Sequence, residues 1–319
     1  MDVIEDLRVL QNNLKNSEYS FNIDEHYGNV LLLCLDFLSS SGGSAIPSDF
    51  PTIDIIENRP VFTLDHTITI PSPHGPKSAP LKNLGGGSYA TVWKYKDEYY
   101  NRYFAVKKAK KGLSDIELAR FKNEFDQMQK LNSPYVVEVF HYDEQKNEYS
   151  MECMDQTLDE YISKNNNRLT MNERINLVAQ IFKAFTYIHE TGILHRDISY
   201  SNILIKHYAD GSKIVKISDF GLVKTPESKL TKTGTDFKGS LNDPSLFTAG
   251  FKNYEERHEI YALAQVINFV ISGKKAEVSY KNEKFLSLIS KAMSSNLEDR
   301  YSSVEEMWIE FNLIKHELN

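Results

Sequence analysis

Asp197, Asn202 and Asp219 stand five and then seventeen residues apart, in His195-Arg196-Asp197-Ile198-Ser199-Tyr200-Ser201-Asn202 and Ser218-Asp219-Phe220-Gly221. Two carboxylates and an amide, carried on loops, can hold a divalent cation and position a hydroxyl. A lone Asp-Phe-Gly is an ordinary turn. Preceded by His-Arg-Asp and an Asn at this spacing, it restricts the fold far more. The chain has ample material to build such a support: 319 residues, 41% hydrophobic and 25% charged, ordinary for a globular protein. A core of that size needs neither metal nor disulfide. Cys34 and Cys153 are the only cysteines, which fits a reducing compartment.

Charge is unevenly placed. Residues 1–80 hold 4 Lys/Arg against 11 Asp/Glu, whereas the remaining residues hold 33 of each. No basic footprint of a nucleic-acid binder is visible, so no nucleic-acid partner is expected. The longest apolar stretch, Val30–Leu38, is interrupted by Asp36 and is too short to span a bilayer. The acidic start, Met1-Asp2-Val3-Ile4-Glu5-Asp6, is wrong for a secretory signal. The expected location is the cytoplasm, without membrane insertion.

Periodicity divides the chain near residue 80. Val3, Leu7, Leu10 and Leu14 mark one helix. Asn22 and Glu25 have capping-box spacing for a second, running on through Phe37 and Leu38 to Ser41-Gly42-Gly43-Ser44. Val61–Ile70 reads as a loose strand, broken by Pro71-Ser72-Pro73-His74-Gly75-Pro76. Strands are expected at Ala90–Lys96 and Tyr103–Lys108, and a helix at about Leu113–Leu131. Thr170 and Glu173 form a capping box before the apolar face Ile175, Val178, Ile181, Phe182, Phe185 and Ile188, which Gly192 can end. A small sheet-rich lobe followed by a larger helical lobe makes a cleft.

Leu84-Gly85-Gly86-Gly87-Ser88-Tyr89-Ala90-Thr91-Val92 is a glycine-rich turn entering a strand. Its glycines allow close approach of backbone N–H groups to a phosphate; a plain hairpin turn is the other reading. In Phe104-Ala105-Val106-Lys107-Lys108, a strand would turn Lys107 and Lys108 to opposite faces. An inward Lys107 needs a partner, which Glu124 on the following helix can supply. Lys108, Lys110 and Lys111 read as a solvated run. His26, His66, His141 and His207 show no metal-ligand spacing.

Taken in order, these motifs resemble a eukaryotic-type protein kinase over about residues 81–319. Gly87 to Lys107 is 20 residues, Lys107 to Glu124 is 17, Asp197 to Asn202 is 5 and Asn202 to Asp219 is 17. The resemblance implies an α+β, bilobal protein-kinase-like fold with an α-helical N-terminal extension. The extension and linker would be residues 1–80, the small β-rich lobe about 81–154, and the larger helical lobe about 155–319. It implies ATP and Mg2+ as cofactors and transfer of the γ-phosphate to Ser/Thr hydroxyls of proteins, with autophosphorylation. Gly85 and Gly87 would cover the nucleotide phosphates. Lys107 would grip the α- and β-phosphates and pair with Glu124. Asp197 would accept the substrate hydroxyl's proton, and Asn202 and Asp219 would hold two Mg2+ ions. Met151 resembles the gatekeeper, and Glu152 and Met154 the adenine-reading hinge. Leu84, Val92, Ala105 and Leu204 would sandwich the base. Arg196 marks the subset often switched by activation-loop phosphorylation. Glu259-Ile260-Tyr261-Ala262-Leu263-Ala264 resembles a buried family helix that usually begins with Asp, and Asp299-Arg300 the structural arginine.

The chain departs from the family in three places. Ser199 stands where serine/threonine kinases carry Lys, and Ser201 where tyrosine kinases carry Arg. Asp243-Pro244-Ser245 is the candidate for the usual Ala-Pro-Glu, so Arg300 needs another partner. Gly234-Thr235 and Gly239-Ser240 both compete for the substrate-side position. Thr225, Ser228, Thr231, Thr233, Thr235 and Ser240 are candidate phosphosites, a phosphate there being able to pair with Arg196. The acidic residues 1–80 are a candidate regulatory or partner-binding segment. Two other readings stay open: a small-molecule kinase, supported by Ser199, and an ATP-binding pseudokinase.

Overall fold

Alternating side chains between Thr67 and Ala109 fold as strands, and beyond Leu158 helices outnumber strands among the described residues. A computed structural model of the chain describes all residues except 1, 16–18, 36, 39–43, 54–60, 65–66, 71–76, 222–240, 276–281 and 319. Two compact units result: Met1–Gly85 with Val92–Val106, and Gly86–Thr91 with Lys107–Asn319.

The elements up to the end of the first unit are α1 (Asp2–Leu14), β1 (Phe21–Ile23), α2 (Glu25–Leu35), β2 (Phe62–Leu64), β3 (Thr67–Ile70), β4 (Lys77–Pro80), β5 (Lys82–Gly86), β6 (Ala90–Asp97) and β7 (Arg102–Ala109). Strands β1 and β2 pair antiparallel, as do β3 and β4, and β5, β6 and β7 are neighbours in that order. Ala79, Leu81, Tyr95 and Val106 form a buried cluster against Ile68, Ile70, Trp93 and Phe104. The β3–β4 hairpin therefore shares a core with β6 and β7. The expected capping box at Asn22 is not formed. Asn22 lies in β1, opposite Thr63. Asp24 starts α2 instead, its Oδ1 accepting the His26 N–H at 3.0 Å. Helix α2 also stops at Leu35, short of the Ser-Gly-Gly-Ser linker, and Phe37 meets Phe50 edge-on at 5.1 Å.

The second unit adds α3 (Asp115–Lys130), β8 (Val139–Asp143), β9 (Glu148–Glu152), β10 (Gln156–Thr157), α4 (Leu158–Asn165), α5 (Met171–Glu190), β11 (Ile203–His207), β12 (Lys213–Ile217), α6 (Leu246–Ala249), α7 (Glu256–Ser272), α8 (Glu283–Ala292) and α9 (Val304–Ile314). Strands β8 and β9 pair antiparallel, the end of β7 lies beside β9, and β10, β11 and β12 form a second antiparallel sheet. Capping boxes at Ser114–Glu117, Thr157–Glu160 and Thr170–Glu173 fix where α3, α4 and α5 begin. Each side-chain cap contributes about 1 kcal/mol. Val178, Ile181, Phe182, Phe185 and Ile188 of α5 are fully buried, and they meet a core that includes α7, α8 and α9. The architecture is α+β, strand-rich up to Thr157 and helix-rich beyond it.

Candidate active site

Helix α3 sets the first half of the site. Its buried stripe is Phe121, Glu124, Phe125 and Met128, at helical spacing. A carboxylate on such a stripe is unfavourable unless paired. Lys107 Nζ, from the end of β7, lies 2.6 Å from Glu124 Oε1 and 3.5 Å from Asp219 Oδ2. The Tyr149 hydroxyl donates to the same Glu124 oxygen at 2.8 Å. Burial opposes the charge on Lys107, but Asp219 and Glu124 outweigh it and hold the ammonium protonated well beyond its usual range. Burial, reinforced by the Asp219 charge, pushes Glu124 up to about 7 against the pull of Lys107 and Tyr149. A cation on Asp219 would relieve that push.

The second half is built by two turns tied to each other. Asn202 Nδ2 donates to the Asp197 carbonyl at 2.8 Å and to Asp197 Oδ2 at 3.2 Å. The Asn202 carbonyl accepts from the Ser218 N–H at 3.0 Å and from its hydroxyl at 3.1 Å. His195 Nε2 donates to the Ser218 carbonyl at 2.9 Å, while Nδ1 accepts the Asp197 N–H at 3.3 Å. A carbonyl only accepts and an amide only donates, so these contacts assign the Nε2–H tautomer. Ser199, buried, is part of the same framework: its Oγ accepts the Asn202 N–H at 3.2 Å and lies 3.0 Å from Ser201 Oγ. Burial raises the Asp197 carboxyl, with Asp219 adding to it and Asn202 and Lys107 opposing. Burial pushes Asp219 up as well, but the contacts that favour its charge, Lys107 foremost and the Gly221 N–H among them, together outweigh it and hold it below its usual range.

Arg196 and Asp219 have φ of 66° and 67°. Left-handed backbone at a non-glycine residue costs on the order of 1–3 kcal/mol and needs external support. At Arg196 the support is Glu259 of α7, fully buried, whose Oε1 accepts the Arg196 N–H at 2.6 Å. His189 Nε2 lies 2.5 Å from Glu259 Oε2, and His189 Nδ1 lies 3.0 Å from Glu256 Oε1, near enough for charge but without hydrogen-bond geometry. Burial opposes the imidazolium, but the two glutamates raise His189 to about 9. A folded-state pKa above the ordinary value stabilises below about pH 6.5 and is lost as pH rises through about 9. Denaturant titrations should show wild type losing about 3 kcal/mol over that window relative to His189→Gln. Parallel pH dependence in the two proteins would remove His189 from this role.

The remaining predicted residues are placed as follows. Leu84 is exposed on β5, Val92 is half-buried on β6 and Ala105 is buried on β7, all in the first unit. Gly85, also there, has φ 133°, open essentially to glycine alone. In the second unit, the Gly87 N–H donates to the Ala90 carbonyl at 3.0 Å. At Gly86, a position with no role in the motif as read from sequence, an added Cβ would meet the Ala90 carbonyl oxygen at 2.8 Å. Met151 and Glu152 end β9, and the Glu152 N–H donates to the Glu138 carbonyl at 2.8 Å. The Glu152 carboxylate pairs with Lys216 at 2.7 Å. Met154 and Leu204 are half-buried against the large core. The structure joins Lys107, Glu124, Asp219, Asn202 and Asp197 through direct contacts or the Ser218 turn.

Arg300 does find another partner. Its guanidinium donates to Asp243 Oδ2, to the Ser294 carbonyl at 2.8 Å and to the Arg257 carbonyl at 3.1 Å. The carboxylate comes from the first residue of Asp243-Pro244-Ser245, two positions before the place a closing Glu would occupy. Thr225, Ser228, Thr231, Thr233, Thr235 and Ser240, with Gly234 and Gly239, lie outside the described residues.

The protein kinase domain family matches residues 79–275. Among curated proteins, the chain is 29% identical over 257 residues to one of Lactococcus lactis described as a probable serine/threonine-protein kinase PknB, covering 71% of this chain and 40% of that protein. It is 28% identical over 220 residues to the serine/threonine-protein kinase PrkC of Bacillus subtilis, covering 67% and 33%. It is 30% identical over 200 residues to the serine/threonine-protein kinase PknD of Mycobacterium tuberculosis, covering 60% and 29%. The matches thus span 40% or less of these relatives' own lengths. No helix among the described residues is long and apolar enough to cross a membrane. The family match takes in more than half of the chain and every residue of the Lys107–Asp219 constellation, and the chain belongs to the protein kinase domain family.

Proposed function

We propose that the chain is a protein kinase that transfers the γ-phosphate of ATP, with Mg2+, to serine or threonine hydroxyls, and that it also phosphorylates itself. The observation that carries this reading is the continuous set of contacts from Glu124 through Lys107 to Asp219, and from the Ser218 turn through Asn202 to Asp197. Asn202 fits a metal-binding role. Its Nδ2 is committed to Asp197, which leaves Oδ1 as the oxygen to offer a cation. Asp219 supplies a carboxylate held ionised, and phosphate oxygens complete such sites. When bound, Mg2+ neutralises charge developing on the phosphates.

In this reading Lys107 binds the phosphates of the nucleotide and Asp197 orients the acceptor hydroxyl and takes its proton. Gly85, Gly87, Leu84, Val92, Ala105 and Leu204 serve the nucleotide, with hinge backbone at Glu152 and Met154. Residues 1–80 serve regulation or a partner, their acidic excess suiting a cationic one. Cys34 and Cys153, neither of them in a disulfide, suit a cytoplasmic setting.

Lys107→Met is expected to lower turnover about 10²–10³-fold, since it removes the cation aimed at the phosphates. Wild-type rates in that variant, measured on protein of intact circular dichroism, would refute the assignment. The acceptor class is tested by offering γ-labelled ATP with a basic protein acceptor and, separately, a panel of hydroxylated metabolites. Label on protein serine or threonine is expected. Label confined to a metabolite would replace this reading with a small-molecule kinase.

A further inference from the structure

Arg196 is held at both ends. Its N–H is taken by Glu259, as above, and its guanidinium carbon lies 5.3 Å from the centre of the Tyr254 ring and 5.6 Å from that of Phe251. Both rings are buried, with centres 5.1 Å apart, in a cluster with Leu246 and Leu194. Tyr254 reaches the other end too: its hydroxyl is 3.4 Å from the same Glu259 Oε1 that accepts the Arg196 N–H. Arg196 is itself only 6% exposed. A desolvated guanidinium against aromatic faces is held more strongly than one in water. The residue so gripped has left-handed backbone and directly precedes Asp197.

We propose that Phe251 and Tyr254 are positioning residues. Together they clamp Arg196 so that the backbone at Asp197 is set for phosphotransfer without a phosphate on the chain. The proposal rests on the protein-kinase reading for its rates, but not for its structural part. The resemblance marks an arginine here as one often switched by activation-loop phosphorylation; in this chain, two rings from the segment just before α7 already lie against it.

The test uses the full chain, freed of phosphate by co-expressed phosphatase and checked by intact mass. Hydrogen exchange is followed in peptides covering His195–Asn202, alongside steady-state kinetics. Phe251→Leu, which keeps apolar volume but removes the ring, should speed exchange at those amides about ten- to thirty-fold and lower kcat by a similar factor. KM for ATP should stay unchanged. Phe251→Tyr should restore both. Where Phe251→Leu fails to fold, Arg196→Met reads the same contact, because it keeps an apolar stem beside the rings and removes the cation. Phosphate-free wild type should turn over within about twofold of the autophosphorylated form, a difference well under the tenfold that 1.4 kcal/mol makes.

Exchange unchanged in both Phe251→Leu and Arg196→Met would overturn the clamp. So would wild-type activity that appears only after phosphorylation. A wild type that transfers no phosphate to any acceptor would defeat the protein-kinase reading instead, and the exchange data would still decide the clamp.

Discussion

Asp243→Ala is expected to lower stability by about 3–5 kcal/mol in chemical denaturation, the usual consequence of stranding a buried charge. Arg300 and Asp243 have side chains 1% exposed each, so bulk solvent does not reach the stranded guanidinium. Burial opposes the Asp243 charge, but Arg300 and the Ser245 N–H outweigh it and keep the carboxyl below its usual range. Its contribution is therefore present at neutral pH and fades only as pH falls below that range. Asp243→Asn should lose less, since an amide oxygen still accepts one guanidinium hydrogen. A loss under about 1 kcal/mol in Asp243→Ala would show that the pair is as dispensable as a surface ion pair.

Asp197→Asn is expected to lower kcat by about 10²–10⁴-fold, the range typical of removing a general base. Nucleotide affinity should hold or improve. Asp197 is raised by burial and by the Asp219 charge, so exchanging it for a neutral amide relieves repulsion near Asp219, the carboxylate proposed to hold the cation. The amide is nearly isosteric, and the Asn202 contact to the Asp197 carbonyl does not involve the side chain that changes. A matched loss of nucleotide affinity and turnover, measured by calorimetry and initial rates, would mean that the variant damages the site rather than the proton transfer.

Much of this was legible in the residues, and the parts that were not share a cause. The Thr170–Glu173 cap and the buried face of α5 depend on partners within a helical turn or two, so spacing reveals them. Lys107 and Glu124 are 17 residues apart, yet a strand followed by a helix with one apolar stripe leaves few other pairings. Asn22 misled because its strand partner, Thr63, is far along the chain, and that pairing overrode a local cap signal. Glu259 could be matched to a family helix, but not to the Arg196 N–H 63 residues away that it accepts. Gly86 is invisible as a special glycine until the hairpin brings the Ala90 carbonyl against it. In the sequence alone Asp243 is only part of a degenerate motif. Which of its three residues faces Arg300 is set by the turn that also lets Asp243 cap Ser245. The role of Ser199 needed the loop conformation that Arg196 and Glu259 impose. Its hydroxyl completes the scaffold of Asn202 in place of a lysine side chain.

The most direct measurement is a single-turnover incubation with γ-labelled ATP and Mg2+, run on wild type and Asp197→Asn side by side and followed by phosphosite mapping. Label should pass to serine or threonine in wild type and not in Asp197→Asn over the same time, with nucleotide bound by both. Nucleotide held by wild type at full occupancy and never transferred would contradict phosphotransfer at Asp197 and leave the chain a nucleotide-binding member of its family.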